Sequence, residues 1–352
     1  MTDETVSIID AMDDVNPNLW NNLVSQSDLG TVFHRHEWLQ AVETGFGSEP
    51  RHVVVRKDSN PVAVFPNFYD SIQVPVAKNL LSAAPLRELN SIAPGYGGPI
   101  VGGNEQERLE KLLDALADLR DTRTLYHWIR TTNLGYVRYG RTLMQRGYTP
   151  LTVDCRFRID LTQSWEEIKD GMESDYLRRL RQMEDHDVEY RDEPITEQAI
   201  EEFYAAHTRN LERLGSEPYP FAFYEALCDL LADRLKILAV VVDGQEVGQY
   251  LYLRNEEQST LRHYLAGIGD EDHFEYNPSQ LLHTHAIQWA KDEGYRYYDF
   301  GSTRADYTNG VFRHKANYGG ELVPSIQWRK GFSRLGWPAF RTAQTLYRKA
   351  RS

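Results

Sequence analysis

Two stretches of the chain share one pattern of apolar and polar positions. Val53-Val54-Val55, the polar turn Arg56 to Asn60, then Val62 to Phe65 alternate as a β-hairpin does. Ile237 to Val242, the turn Asp243-Gly244-Gln245, then Val247 to Leu253 repeat it. Asp-Gly between apolar runs is a strong hairpin signal, because glycine reaches positive φ without steric cost. Thr260 to Ala266 follows as a third apolar segment and predicts a three-stranded antiparallel meander. Between the strands the period changes. Glu105 to Leu119 carries Leu109, Leu112, Leu113, Leu116 and Leu119, spaced for one face of a helix. Ser279 to Glu293 carries Leu281, Leu282, Ala286, Trp289 and Ala290, with Ser279 as the expected N-cap and Gly294 as the stop. Tyr295 to Phe300 then reads as an aromatic strand.

These elements predict an α/β (α+β) chain of two halves, each a mixed, mostly antiparallel sheet flanked by helices. The expected boundary lies around Thr152 to Asp160, dividing the chain into 1–155, 156–335 and a basic helical tail over 336–352. One large α+β domain is the competing organisation. Ser82 to Gly103, with three prolines and five glycines, reads as the most irregular loop.

Composition narrows the function. The 352 residues are 41% hydrophobic, enough for substantial cores, and carry a net charge of −13. That charge opposes unaided capture of DNA or an anionic membrane. Nine lysines stand against thirty arginines, and the acid-rich, lysine-poor balance points to a chain kept soluble in high salt. Cys155 and Cys228 are too few for a disulfide framework. The longest apolar run, Ile237 to Val242, falls far short of the ~20 residues a membrane helix needs. Met1 to Asp14 is acidic with no apolar run, unlike a secretory leader. A cytoplasmic protein without an integral membrane segment is expected.

The chemistry concentrates near the end. Tyr297-Tyr298-Asp299-Phe300-Gly301-Ser302 is followed by Gly310-Val311-Phe312-Arg313-His314-Lys315-Ala316-Asn317-Tyr318-Gly319-Gly320. Lys315 stands among aromatic residues, where an unused ammonium is costly. Asp299-Phe300-Gly301 matches the metal-binding triplet of protein kinases, but no glycine-rich nucleotide loop or His-Arg-Asp motif precedes it. His34/His36 and His283/His285 are spaced i, i+2, which suits no common helical zinc pair, and no metal is expected. Ser174 to Met183 holds Arg178, Arg179 and Arg181, the one concentrated basic spot. These arginines suit a phosphate, or equally a solvated helix face paired with Asp175 and Glu184.

The ordered set resembles the Fem family of aminoacyl- and acyltransferases, a branch of the GNAT superfamily. It includes Phe33 to Leu39, Tyr96-Gly97-Gly98-Pro99, the basic helix, Tyr276-Asn277-Pro278-Ser279-Gln280-Leu281-Leu282, and the Lys315 segment. Tyr264-Leu265-Ala266-Gly267-Ile268-Gly269 sits where GNAT enzymes place a pyrophosphate loop. Here a tyrosine replaces the expected Gln or Arg, and Asp270, Glu271 and Asp272 follow.

The resemblance implies tandem GNAT-like domains and transfer of an acyl or aminoacyl group to an amine, with a cell-envelope or glycoconjugate setting. No tightly bound cofactor is implied; acyl-CoA or aminoacyl-tRNA is the donor, and charged tRNA a potential partner. The acceptor is a small molecule, peptide or glycan bearing an amine. By the same resemblance Lys315 and Asp299 are the catalytic candidates, Arg178, Arg179, Tyr264 and Tyr276 bind substrate, and Gly267 and Gly269 bind the donor. A plain structural role remains open for Lys315 (a surface lysine at a strand end) and for Asp299 (a turn-capping carboxylate). The alternative of another class is a non-catalytic module that uses the fold to hold a glycan or peptide.

Overall fold

The computed structural model describes residues 4–72, 86–119, 123–268, 271–334 and 336–349. It divides into two compact units, one of 1–43, 47–152 and 325–352, the other of 44–46 and 153–324. The stretch 325–335, allotted by the sequence reading to the second half, belongs to the first.

The first unit contains the strands β1 (Thr5–Ile9), β2 (Glu49–Pro50), β3 (His52–Lys57), β4 (Asn60–Phe65), β5 (Phe68–Ser71), β6 (Arg87–Ser91), β7 (Ile100–Val101) and β8 (Thr124–Thr131). The β3–β4 hairpin joins β1 and β7 in an antiparallel sheet ordered β1-β3-β4-β7. Its helices include α1 (Pro17–Gln26), most of α2 (His36–Phe46) and α3 (Glu105–Asp118). The leucine stripe of α3 is buried, at Leu109, Leu112, Leu113 and Leu116, as its spacing predicts. Phe33, Trp38 and Leu39 are buried around the start of α2. The stretch 82–103 is less irregular than expected, since β6 forms within it and pairs with β5 and β8; its residues 82–85 lie outside those described.

β9 (Thr149–Asp160) carries the chain into the second unit, and four strands follow: β10 (Val188–Glu193), β11 (Leu235–Val242), β12 (Gln245–Asn255) and β13 (Thr260–Gly267). β14 (Tyr297–Arg304) completes the run β10-β11-β12-β13-β14-β9 within its sheet. All neighbours are antiparallel except β13 and β14, which run parallel. The meander β11-β12-β13 forms where the alternation predicts it.

Helices α4 (Gly140–Gln145), α5 (Trp165–Asp170), α6 (Ser174–Gln182), α7 (Glu197–Arg213), α8 (Phe221–Leu231), α9 (Pro278–Asp292), α10 (Gly310–Ala316) and α11 (Gly336–Lys349) complete the set described. α9 is capped two residues earlier than expected: Asn277 is its N-cap, Pro278 its first residue, and Ser279 instead accepts a hydrogen bond from Tyr250. The core of the second unit joins Phe157, Leu238, Tyr252, Leu282, Tyr298, Phe300 and Tyr318.

β15 (Glu321–Gly331) takes the chain back, its last six residues pairing antiparallel with β8, which is why the segment belongs to the first unit.

Candidate active site

The parallel ladder of β13 and β14 runs from Thr260–Tyr297 to Arg262–Asp299 and has no further pair among the described residues. Beyond it, His263 to Ala266 of β13 are half-buried, whereas Thr260 to Arg262 are buried. On its other edge β14 pairs with β9, and the register jumps between Asp299 and Ser302. Phe300 and Gly301 thus stand opposite Phe157 alone, two residues against one, which is a β-bulge. Gly301 has φ of 72°, and a Cβ there would lie 2.6 Å from the His263 carbonyl oxygen. Only glycine meets both demands. The Asp-Phe-Gly triplet of the sequence is therefore the device that kinks β14.

Asp299 holds the kink from within. Its Oδ1 accepts the Gly301 N–H at 2.8 Å, and its Oδ2 accepts Arg156 at 2.6 Å and Arg262 at 3.1 Å. All three side chains are buried. Burial alone would raise the carboxyl's pKa, but the Arg262 and Arg156 guanidinium groups and their hydrogen bonds outweigh it and hold the group below its ordinary range. Asp299 is thus a fixed anion, suited to orientation and electrostatics rather than to accepting a proton near neutrality. The sequence reading missed both arginines. Their signal was arginine inside strands of otherwise apolar character, Leu261-Arg262 and Cys155-Arg156-Phe157, which buries a charge unless a partner exists.

Lys315 lies on α10, not at a strand end. Asn309 caps that helix through the Val311 and Phe312 N–H groups. Lys315 is 7% exposed. Its Nζ donates to the carbonyls of Gly301 at 3.2 Å and Ser302 at 2.9 Å. Burial pushes its pKa down to about 8, with Asp299 opposing and Arg262 adding to the fall. An ammonium has three donors, and two are taken up at the bulge.

A group of aromatic and imidazole side chains surrounds this corner. His283 Nδ1 and the Tyr298 hydroxyl are 2.6 Å apart, and the His283 ring lies 5.0 Å from His263 and 6.1 Å from His314. Burial drives His263 down to about 3 and His314 to about 4, the Lys315 charge adding to both, so each imidazole is neutral at physiological pH.

The remaining candidates divide. Arg178 and Arg179 are exposed on α6, and both pair with Asp175. Arg179 lies close enough to His314 for its charge to lower that imidazole's pKa, which brings α6 into the neighbourhood of Lys315. Tyr264 is half-buried on the stretch of β13 beyond the ladder. Tyr276 is half-buried and meets His186 edge-on at 5.6 Å, in the turn before α9. Gly267 is packed against α7, where a Cβ would lie 3.1 Å from Ala206. His207 and Asn210 of the same helix bond the neighbouring Ala266 carbonyl. Gly269 lies outside the described residues.

Residues 173–309 match the acetyltransferase (GNAT) domain family. That span holds Asp299, Arg178, Arg179, Tyr264, Tyr276 and Gly267, and ends before Lys315. No curated protein matches the chain by sequence. Among solved structures, FemX is similar with a TM-score of 0.69 at 13% identity, over 93% of this chain and 98% of that one. L-PGS from Bacillus licheniformis has a TM-score of 0.55 at 11% identity, over 97% and 98% of the two chains. A tandem GNAT protein from the clavulanic acid biosynthesis pathway has 0.54 at 11%, over 94% and 98%. At such identities the likeness is one of fold.

Proposed function

We propose that this chain, which has the Fem-like tandem GNAT fold and carries a GNAT domain over residues 173–309, is an N-acyltransferase or aminoacyltransferase acting on an amine acceptor. The observation that carries the reading is the end of the β13–β14 ladder at Arg262 and Asp299, with the Lys315 ammonium bonded just past it to Gly301 and Ser302. A carbonyl substrate bound where the strands part would meet a fixed cation in a site poor in water. Acyl transfer to an amine forms a tetrahedral oxyanion, and a preorganised donor lowers that barrier.

In the step proposed, the acceptor nitrogen bonds the carbonyl carbon of a thioester or ester. The remaining N–H of Lys315 donates to the oxyanion, the carbon–sulfur or carbon–oxygen bond breaks, and the amine proton leaves with the departing group. Asp299 keeps Arg156, Arg262 and the bulge in place. Arg178 and Arg179 are assigned to an acceptor phosphate, and Tyr264 and Tyr276 to the walls of the substrate site.

For the donor, acyl-CoA follows from the GNAT domain, and aminoacyl-tRNA from the likeness to FemX. The net charge of −13 favours the smaller anion. The test is calorimetry with acetyl-CoA, longer acyl-CoAs and a pool of charged tRNA. Micromolar binding of a CoA ester supports the acyltransferase reading with Gly267 and its loop as the donor site. Binding of charged tRNA alone supports aminoacyl transfer. No binding of either overturns the enzyme reading in favour of a non-catalytic module, for which Lys315, saturating two main-chain carbonyls, is a structural lysine.

A further inference from the structure

A second buried lysine serves no step of that reaction. Lys236, at the start of β11, has a side chain only 1% exposed. It is ion-paired with Asp192 of β10, whose own side chain is 59% exposed. Its Nζ is held by Asp192 and lies 4.1 Å from the centroid of the Trp289 ring on α9. The guanidinium of Arg254, near the end of β12, is 5.4 Å from the same ring, and its buried Nε has no hydrogen-bond acceptor among the described residues. Two cations thus share one indole. They repel each other, and both burial and the Arg254 charge lower the Lys236 pKa against the pull of Asp192.

A packing role explains this arrangement poorly. Taking an ammonium out of water is costly, and an apolar residue would cover Trp289 without that cost. A cavity of about 320 Å³ opens at the same place, lined by Lys236 and Arg254 together with Asp192, Glu193, Asp233 and Leu235. It lies at the end of the sheet where β10 and β12 finish and β11 begins. The β13–β14 opening is at the opposite end, toward Gly267 and Arg304.

We propose that this cavity binds a small zwitterion of the α-amino-acid class. The carboxylate lies against Arg254 and the Lys236–Asp192 pair, where its charge relieves the repulsion between the two cations. The ammonium faces the carboxylates of Asp233 and Glu193, whose present ion pairs with Arg234 and Arg191 are long, at 3.5 and 3.8 Å. The lining decides the class: two cations beside three acidic residues disfavour a phosphate dianion and suit a ligand carrying both signs. The proposal does not depend on the acyl-transfer reading and holds for a non-catalytic module equally.

The test uses the full chain, calorimetry at fixed ionic strength, and L-alanine and L-serine as probes. Acetate and ethylamine serve as the two halves of the zwitterion. An amino acid is expected to bind once per chain and to change tryptophan emission, with each half binding far more weakly. Lys236→Met, which removes a buried charge and is expected to stay folded by circular dichroism, should weaken binding about tenfold or more, the worth of a charge-assisted hydrogen bond. Arg254→Met should do likewise. Absence of binding, acetate binding as tightly as the amino acid, or unchanged affinity in both folded variants overturns the proposal.

Discussion

Lys315 answers to two demands whose signatures differ. As a structural group it donates to the Gly301 and Ser302 carbonyls, and in the proposed transfer it must stay protonated while a carbonyl oxygen takes up charge. With a folded pKa of about 8 against its usual 10.5, the folded chain binds fewer protons than the unfolded chain between those values. Its contribution to stability therefore increases as pH rises through that window, because the cost of burying the ammonium is relieved. Wild-type stability to urea, measured from pH 7 to 10.5 against Lys315→Met, should show that rise, and the variant should lack it. Turnover should move the other way, falling above pH ~8 as the ammonium is lost. Lys315→Met should lower kcat by about 10²–10³-fold, the scale of a lost oxyanion donor, and remove that basic limb. A variant that keeps full turnover would leave Lys315 with its structural role alone.

At the scale of the element, the bulge in β14 places Lys315, and its two supports can be tested separately. Asp299→Asn leaves Arg156 and Arg262 buried without a counter-charge, which should cost about 3–5 kcal/mol in equilibrium unfolding. Gly301→Ala puts a side chain at φ 72° and against the His263 carbonyl; backbone strain alone should cost about 1–3 kcal/mol. If Gly301→Ala melts like the wild type, the kink is not held by glycine.

These devices also mark what the sequence could and could not reveal. The hairpins, the meander, α3 and α9 were legible because each is written in a local period. The end of β14 was not, since it passes Phe300 only because a bulge lets the strand continue to Arg304. Lys315 could be singled out as an expensive residue, but its helix was too short to carry a period. The partners of Asp299 were beyond reach for a different reason: Arg156 is 143 residues away in the chain and Arg262 is 37. Local pattern records that a charge must be paired and is silent on what pairs it.

At the scale of the whole molecule, the chain path decides what each unit needs in order to fold. The first unit is assembled from segments near both ends of the sequence, since 325–352 belongs with 1–43 and 47–152. β15 supplies β8 with its antiparallel neighbour from Ile326–Thr131 to Gly331–Tyr126, and buries Trp328. Trp337 of α11 then lies 4.8 Å from Tyr126 of β8. A chain ending at Pro324 should keep a complete second unit but lose a strand and a buried tryptophan from the first. Removal of a buried aromatic side chain alone costs about 3–5 kcal/mol. Calorimetric scans of chains ending at 324, at 335 and at 352 should therefore show the transition of the first unit lost or lowered most at 324 and partly restored at 335. The transition of the second unit should hold its position throughout. Equal lowering of both transitions in the 324 chain would mean that the two units fold as one cooperative body, and β15 would then stabilise the Lys315 site as well as the first unit's sheet.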